Sequence, residues 1–398
     1  MITKSPLTLT AYTLVNALGQ GCEAVFTALQ EGRSGLRRCG FEPAELDTWI
    51  GRVDGVEDYP VPEALVEYDC RNNRLAEMGL NQDGFRQQVE ASIQRYGAHR
   101  VGLFLGTSTS GIAETEAAYR CRQSDDATLP SDYRFSTTHN PYALSDFCCR
   151  SLGLTGPATV VSTACSSSAK VFAAAYRHIQ AGFCDAAVVG GVDSLCLSTL
   201  YGFNSLDLLS SEPCRPWDQQ RAGISIGEGG GFVLLESHSE GSSELALLGY
   251  GESSDGYHMS TPHPQGRGAV LAMERALQSA GLSPGQVDYL NLHGTATAAN
   301  DSAEDRAVST LFGSDLMCSS TKGWTGHTLG AAGITEAIIC CLALERDFVP
   351  ATLNLERPDP ALNTQVLIES KNHRIQAALS NSFGFGGNNC SLVFGRNA

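Results

Sequence analysis

"VVSTACSSSA" (residues 160–169) sets two β-branched residues before a cysteine with small and hydroxylated neighbours. The helical pattern "SAKVFAAAYRHIQAG" (168–182) follows at once. Strand, corner and helix in that order form the repeating unit of an α/β fold. The corner places Cys165 in the first turn of the helix, where unpaired N–H groups and the positive end of the helix dipole would lower the thiol pKa. Ala164, Ser166, Ser167 and Ser168 leave room for a group to approach. The bland alternative is a small core residue at a tight corner, since buried cysteine commonly behaves as a small hydrophobe.

Moving outward, strand-like runs alternate with helical ones. "VGLFLGTS" (101–108), "ATVVSTA" (158–164), "DAAVVGGVDS" (185–194) and "GGFVLLES" (230–237) read as strands. So do "LALLGYG" (245–251), "VDYLNLHGT" (287–295), "AALSNSF" (377–383) and "CSLVFG" (390–395). Helices are expected at "CEAVFTALQEG" (22–32), 168–182, "GAVLAMERALQSAG" (268–281) and "GITEAIICCLALERD" (333–347). The halves also resemble each other. A strand ending in "GTSTSG" precedes the Cys165 unit, and "YLNLHGTAT" precedes "CSSTKGWTGHTLGAAGITEAIICCLAL". One α/β unit used twice follows, residues 1–243 and 244–398, joined near "SHSEGSSEL" (237–245). The first half carries extra material between about 30 and 157, of which "RQSDDATLPSDYR" (122–134) is the most loop-like.

The chain has 398 residues, 43 acidic and 27 basic, for a formal net charge of −16. That balance argues against nucleic acid and anionic membrane as partners, because both demand a positive field. The N-terminus "MITKSPLTLTAYTLV" is poor signal-peptide material. The apolar run "AIICCLAL" (337–344) is far short of the ~20 residues of a membrane helix. A cytoplasmic location is expected. The 14 cysteines include no CxxC pair, so reduced, buried thiols are expected rather than disulfides or a metal site.

Three further stretches could carry chemistry. His293 ends the strand of "LHGTAT" (292–297), where a lone histidine is usually a satisfied structural residue. Lys322 and His327 lie in the glycine-rich "STKGWTGHTLGAAG" (320–333), where a lysine is usually a solvated charge. "NSFGFGGNN" (381–389) reads by default as a glycine turn between strands. Together they bring one Cys and two His to equivalent strand ends of two related units, where open sheets place their sites. A thiol with two imidazoles there suits acyl transfer through a thioester.

In order along the chain, "STACSSS", "RPWDQQRAGISIGEGGGFVLLE", "YHMSTPHP", "LHGTATAAND", "TKGWTGHTLGAAGITE" and "SNSFGFGGNN" resemble the condensing enzymes of the thiolase superfamily. The match is to the elongating β-ketoacyl-acyl-carrier-protein synthases. The resemblance implies a thiolase fold, duplicated α/β halves in a five-layered αβαβα core. It implies that Cys165 takes an acyl chain from a carrier thioester. His293 and His327 would assist decarboxylation of a malonyl thioester and stabilise the enolate, whose attack lengthens the chain by two carbons. The backbone N–H groups of Cys165 and Phe385 would form the oxyanion hole, with Phe385 also a gate. Lys322 and Glu336 would support the histidines, and Asp301 and Glu304 would order the His293 loop. Thr295 and Thr297 match positions bonding the pantetheine arm, with Ser260, Thr261 and Phe383 beside the same tunnel and Thr109 near the position limiting pocket depth. No cofactor is permanently bound; 4'-phosphopantetheine arrives on an acyl carrier protein, an acidic partner for which "CRNNR" (70–74) offers Arg71 and Arg74 as docking residues. The subunit is expected as a homodimer, or a heterodimer with a homologous subunit.

Asn300 stands where primary fatty-acid enzymes usually have Gly, and Asn388 where Thr is usual. The Asn before Asp301 leans toward polyketide-type ketosynthases, including those of aryl polyene clusters. Other readings are weaker. A non-catalytic chain-length factor lacks the nucleophile. A degradative thiolase would carry a second cysteine in the "NSFGFGG" turn. A cysteine hydrolase has no use for the histidine pair and Lys322, and "GEGGGF" (227–232) misses the dinucleotide-binding spacing.

Overall fold

At the centre lies a strand that the hydrophobic patterning did not announce, β1 (Leu7–Asn16). Its Thr and Tyr residues suit a pleated surface despite their polarity. The computed structural model describes residues 5–122, 128–237 and 244–396. The join between the halves and part of the 122–134 stretch therefore lie outside the described residues.

The first half continues with β2 (Val101–Gly106), β3 (Ala158–Val161), β4 (Ala186–Asp193) and β5 (Gly229–Glu236). The second holds β6 (Leu245–Ser254), β7 (Tyr289–Asn291), β8 (Met317–Ser319), β9 (Ala377–Gly384) and β10 (Asn388–Arg396). The spatial orders are β3-β2-β4-β5-β1 and β8-β7-β9-β10-β6. Each half thus places its third, second, fourth, fifth and first strands side by side. Parallel and antiparallel pairings match as well, with only the first three of each series parallel. The duplication read from the sequence is therefore a duplication of topology. β1 and β6 meet through Leu7↔Leu247 and Thr8↔Ala246, joining the two sheets at their edges.

Helices α1 (Arg71–Leu80), α2 (Phe85–Tyr96) and α3 (Pro141–Leu152) cover the outer face of the first sheet. Helix α4 (Ser167–Gln180) lies between the sheets. Helices α5 (Arg267–Ala280) and α6 (Ala298–Phe312) cover the outer face of the second sheet. Helix α7 (Ala332–Arg346) packs beside α4 in the middle layer. This is the αβαβα stack of a thiolase fold. Composition explains the middle layer: every residue of α7 from Ala332 to Leu344 is buried, the polar Thr335 and Glu336 included, as expected for a helix apolar nearly all round. Its adjacent Cys340 and Cys341 are fully buried free thiols. No helix among the described residues is long and apolar enough to cross a membrane.

Candidate active site

The hydroxylated run after β3 builds the corner it was read as. The Thr163 N–H donates to Ser167 Oγ at 2.8 Å, while the Ser166 and Ser167 hydroxyls donate to the carbonyls of Thr163 and Ala164. Ala164 is held at φ 51°, a left-handed conformation that a non-glycine residue adopts only where its surroundings enforce it. Cys165 follows, one residue ahead of the N-cap Ser166. It is therefore beside the helix start rather than in its first turn.

The thiol environment corrects a second expectation. Burial pushes the Cys165 pKa up to about 11, although the Lys322 ammonium and the Phe385 backbone N–H both favour the thiolate. A buried sulfur loses more from desolvation than the Lys322 charge and one N–H return. The resting group is a neutral thiol.

His327 Nε2 lies 3.0 Å from Cys165 Sγ. The Leu329 N–H donates to His327 Nδ1 at 3.3 Å, which leaves the ring proton on Nε2, facing the sulfur. His293 is arranged alike, with its Nδ1 3.4 Å from Lys322 Nζ. Lys322 also donates to the His293 carbonyl and to Glu336. Burial, then the nearby Lys322 charge, holds both imidazoles well below the ordinary histidine range. The two rings stand 5.4 Å apart and nearly perpendicular. Cys165 Sγ and one nitrogen from each histidine lie within 4.8 Å of one another. The site thus offers one thiol and two neutral N–H donors around a single point.

The opposite wall is the turn after β9. Gly384 is required there: a Cβ would sit 2.7 Å from the Thr163 carbonyl, so no side chain fits where the two halves touch. That approach brings the Phe385 N–H onto Cys165. The Phe385 ring stacks 5.5 Å from Phe203.

A cavity of about 460 Å³ leads to Cys165, His293 and His327. Ser260, Thr261, Thr295, Thr297, Phe383 and Phe385 line it, which gathers most of the expected substrate-binding set. Thr295 and Thr297 share a 2.9 Å hydroxyl–hydroxyl bond. Lys322 and Glu336 are a buried pair behind His293, and burial pushes Glu336 up to about 7 against the Lys322 charge. Glu304 accepts the His293 and Gly294 N–H groups at 2.8 Å each, while Asp301 accepts the N–H of Trp217. Asn300 donates to both carboxylates.

Three expected residues lie elsewhere. Arg71 is buried, with two nitrogens on the fully buried Glu228 and a third on Glu57, so it presents no charge to an acidic partner. Arg74 is half-buried and grips Asp69 through two nitrogens. Nothing in the local sequence pointed to Glu57 or Glu228, whereas Asp69 stands directly before the "CRNNR" run. Thr109 is not in the cavity lining. Its N–H and hydroxyl both donate to Asp193 at 2.9 Å.

Asp193 itself escaped the sequence reading. It is fully buried at the end of β4 and accepts from the N–H groups of Ser108, Thr109 and Gly330 and from the hydroxyls of Thr107, Ser108 and Thr109. Through Gly330 it ties the loop after β2 to the His327 turn. A lone aspartate closing a strand carries no sequence signal for such a role.

With this geometry in hand, comparison with known proteins is direct. The N-terminal domain model of beta-ketoacyl synthase matches residues 76–241, and the C-terminal domain model matches 245–356. A Vibrio harveyi protein named 3-oxoacyl-[acyl-carrier-protein] synthase 2 is 34% identical, with 99% of each chain covered. Among solved structures, a ketosynthase in complex with its chain length factor from Xenorhabdus doucetiae is 39% identical with a TM-score of 0.90, covering 99% of this chain and 98% of that one. An ishigamide ketosynthase/chain length factor is 26% identical with a TM-score of 0.88, covering 99% of this chain and all of that one.

Proposed function

The chain belongs to the β-ketoacyl synthase family, acyltransferases of the 3-oxoacyl-[acyl-carrier-protein] synthase kind, and from that premise we propose how its own residues divide the reaction. Cys165 Sγ attacks the carbonyl of an acyl-carrier thioester. The new S–C bond forms, the carrier C–S bond breaks, and the thiol proton ends on the departing pantetheine sulfur. The Cys165 and Phe385 N–H groups face the oxyanion of this step. Malonyl-carrier then enters the same cavity, and its bond to the leaving CO₂ breaks. The electron pair becomes an enolate whose oxygen accepts from Nε2–H of His293 and His327. Its carbon attacks the acyl-Cys carbonyl, the S–C bond breaks, and a chain two carbons longer leaves. The expelled Cys165 thiolate takes one proton from solvent through the cavity and returns to the neutral thiol.

The observation that carries this reading is the pair of neutral, buried imidazoles aimed with Cys165 at one point. Preorganised donors of this kind are each worth about 3–4 kcal/mol where charge develops. Lys322 and Glu336 hold His293 by its Nδ1 face and take no proton in the cycle.

We further propose a specialised polyketide or aryl polyene pathway. The departure at Asn300 and the 39% likeness to a ketosynthase in complex with its chain length factor support it. The same likeness favours pairing with a second subunit, and a cytoplasmic setting is part of the proposal. All four residues of the edge strand β3 are only half-buried, as suits a strand awaiting a neighbour. Purified protein should release CO₂ from malonyl-carrier and elongate a primed carrier, with octanoyl and aryl-enoyl primers compared side by side. Failure with every carrier-bound primer, alone and with a co-expressed ketosynthase-type subunit, would sink the assignment.

A further inference from the structure

Arg71 is buried and paired with Glu228, and half-buried Arg74 is held by Asp69, so a carrier-dependent enzyme of net charge −16 needs other cations to meet an acidic partner. One rim of the cavity stands out. Residues 256–273 contain no Asp or Glu, but hold His258, His263 and Arg267. Within this segment Ser260, Thr261 and Pro262 line the cavity that ends at Cys165.

The segment is ordered from both sides. The Ser260 and Thr261 N–H groups both donate to His258 Nδ1 at 3.2 Å. Asp255 accepts the His263 N–H at 2.9 Å and the Asn389 amide at 2.8 Å. Arg306 reaches across from α6 and donates to the Pro264 carbonyl. Arg267 opens α5. Both arginines are exposed, and among the described residues neither is in an ion pair. Tyr257 and Met259 are 56% and 77% exposed in the same segment, and Leu206, which lines the cavity, is 50% exposed. Asp207 is an acid in that lining.

Resting on the carrier-dependent reading above, we infer that this rim, centred on Arg267, Arg306 and Met259, is the docking surface for the acidic carrier protein. An apolar patch flanked by unpaired cations complements an acidic helical face. The same cations face the phosphodiester from which the pantetheine arm hangs, and the arm threads past Ser260 and Thr261 to Cys165. Rim charges of this kind act chiefly on encounter and salt dependence.

The test is a double charge reversal, Arg267→Glu with Arg306→Glu, in the full chain with whatever subunit it pairs with. KM for acyl-carrier and malonyl-carrier should rise by about tenfold or more with kcat little changed. Acylation of Cys165 by a carrier-free acyl-N-acetylcysteamine thioester should be unmoved. The wild-type KM should rise with salt, and the variant's should not. Met259→Glu should act in the same direction by repelling the acidic face, whereas Arg74→Gln should leave KM unchanged. Active elongation with an unmoved KM in both rim variants would overturn the surface alone. Wild-type protein that elongates no carrier-bound chain would overturn the surface together with the function it rests on.

Discussion

The two halves share one strand order and one strand–corner–helix plan, yet they carry different chemistry at matching points. The corner between β3 and α4 holds a thiol, while the corner between β8 and α7 holds Lys322 and His327. The loop after β2 is a run of hydroxyls fastened to Asp193. The loop after β7 begins with His293 and is fastened by its backbone to Glu304. In each case a buried carboxylate collects consecutive N–H groups, so the backbone device is common and the side chain it presents is not. Duplication supplied two equivalent sheet edges facing one cavity. In the proposed reaction, one half supplies the nucleophile and the other the pair of hydrogen-bond donors.

This division can be broken by substitution. Cys165→Ala should show the largest effect, cutting elongation by on the order of 10⁴–10⁶. Release of CO₂ from malonyl-carrier should persist, because the donor half is intact. Loss of both activities together would mean the halves do not act separately.

Lys322→Ala should be the most destabilising change in the donor half. It strands Glu336 in a site where both side chains are almost wholly buried, and removing one partner of such a pair costs about 3–5 kcal/mol. Denaturant unfolding reads this out. Lys322→Met combined with Glu336→Gln should recover much of the loss, and a double variant as unstable as the single one would show that packing, not charge, is at stake.

His293→Ala and His327→Ala should each slow decarboxylation by about 10²–10³. Transfer of the acyl group to Cys165 should suffer less in His293→Ala, because only His327 is within bonding distance of the sulfur. Equal losses in acylation would erase that distinction between the two rings.

Glu304 gives the smallest effect, and a pH-dependent one. Burial pushes it up to about 7 in the fold from an ordinary 4.5, against the pull of its N–H donors. A folded-state pKa above the unfolded value means the folded chain holds the extra proton between those limits. The contribution to stability is therefore present below about 4.5 and is lost as pH rises through about 7, on the order of 3 kcal/mol in all. Glu304→Gln should flatten that slope in thermal unfolding followed across the same range. An unchanged slope would place the titration elsewhere.

Much of the site was legible in the sequence. Cys165, His293, Lys322, His327 and the "GFGG" turn lie in short blocks whose residue types suit thioester chemistry, and the repeated strand–helix pattern located them at sheet edges. Less legible were features that depend on distant partners. β1 pairs with both halves' sheets, so its polar residues are covered by neighbours hundreds of positions away. Arg71 looked available because nothing in "CRNNR" announces Glu228, 157 residues on. Thr109 sits near the proper loop, but Asp193 turns it inward.

The sequence by itself determined the class of fold and named the candidate thiol and imidazoles, because alternating periodicity and residue type are local properties. Only the tertiary structure decided their states. Cys165 was read as a thiol acidified by a helix end, but burial between the two halves outweighs that pull and keeps it neutral. The ring protons of His293 and His327 sit on Nε2 because Lys322 and the Leu329 N–H occupy the other face. Charge state and tautomer depend on everything that surrounds a group, and for these three residues those surroundings come from both halves of the chain.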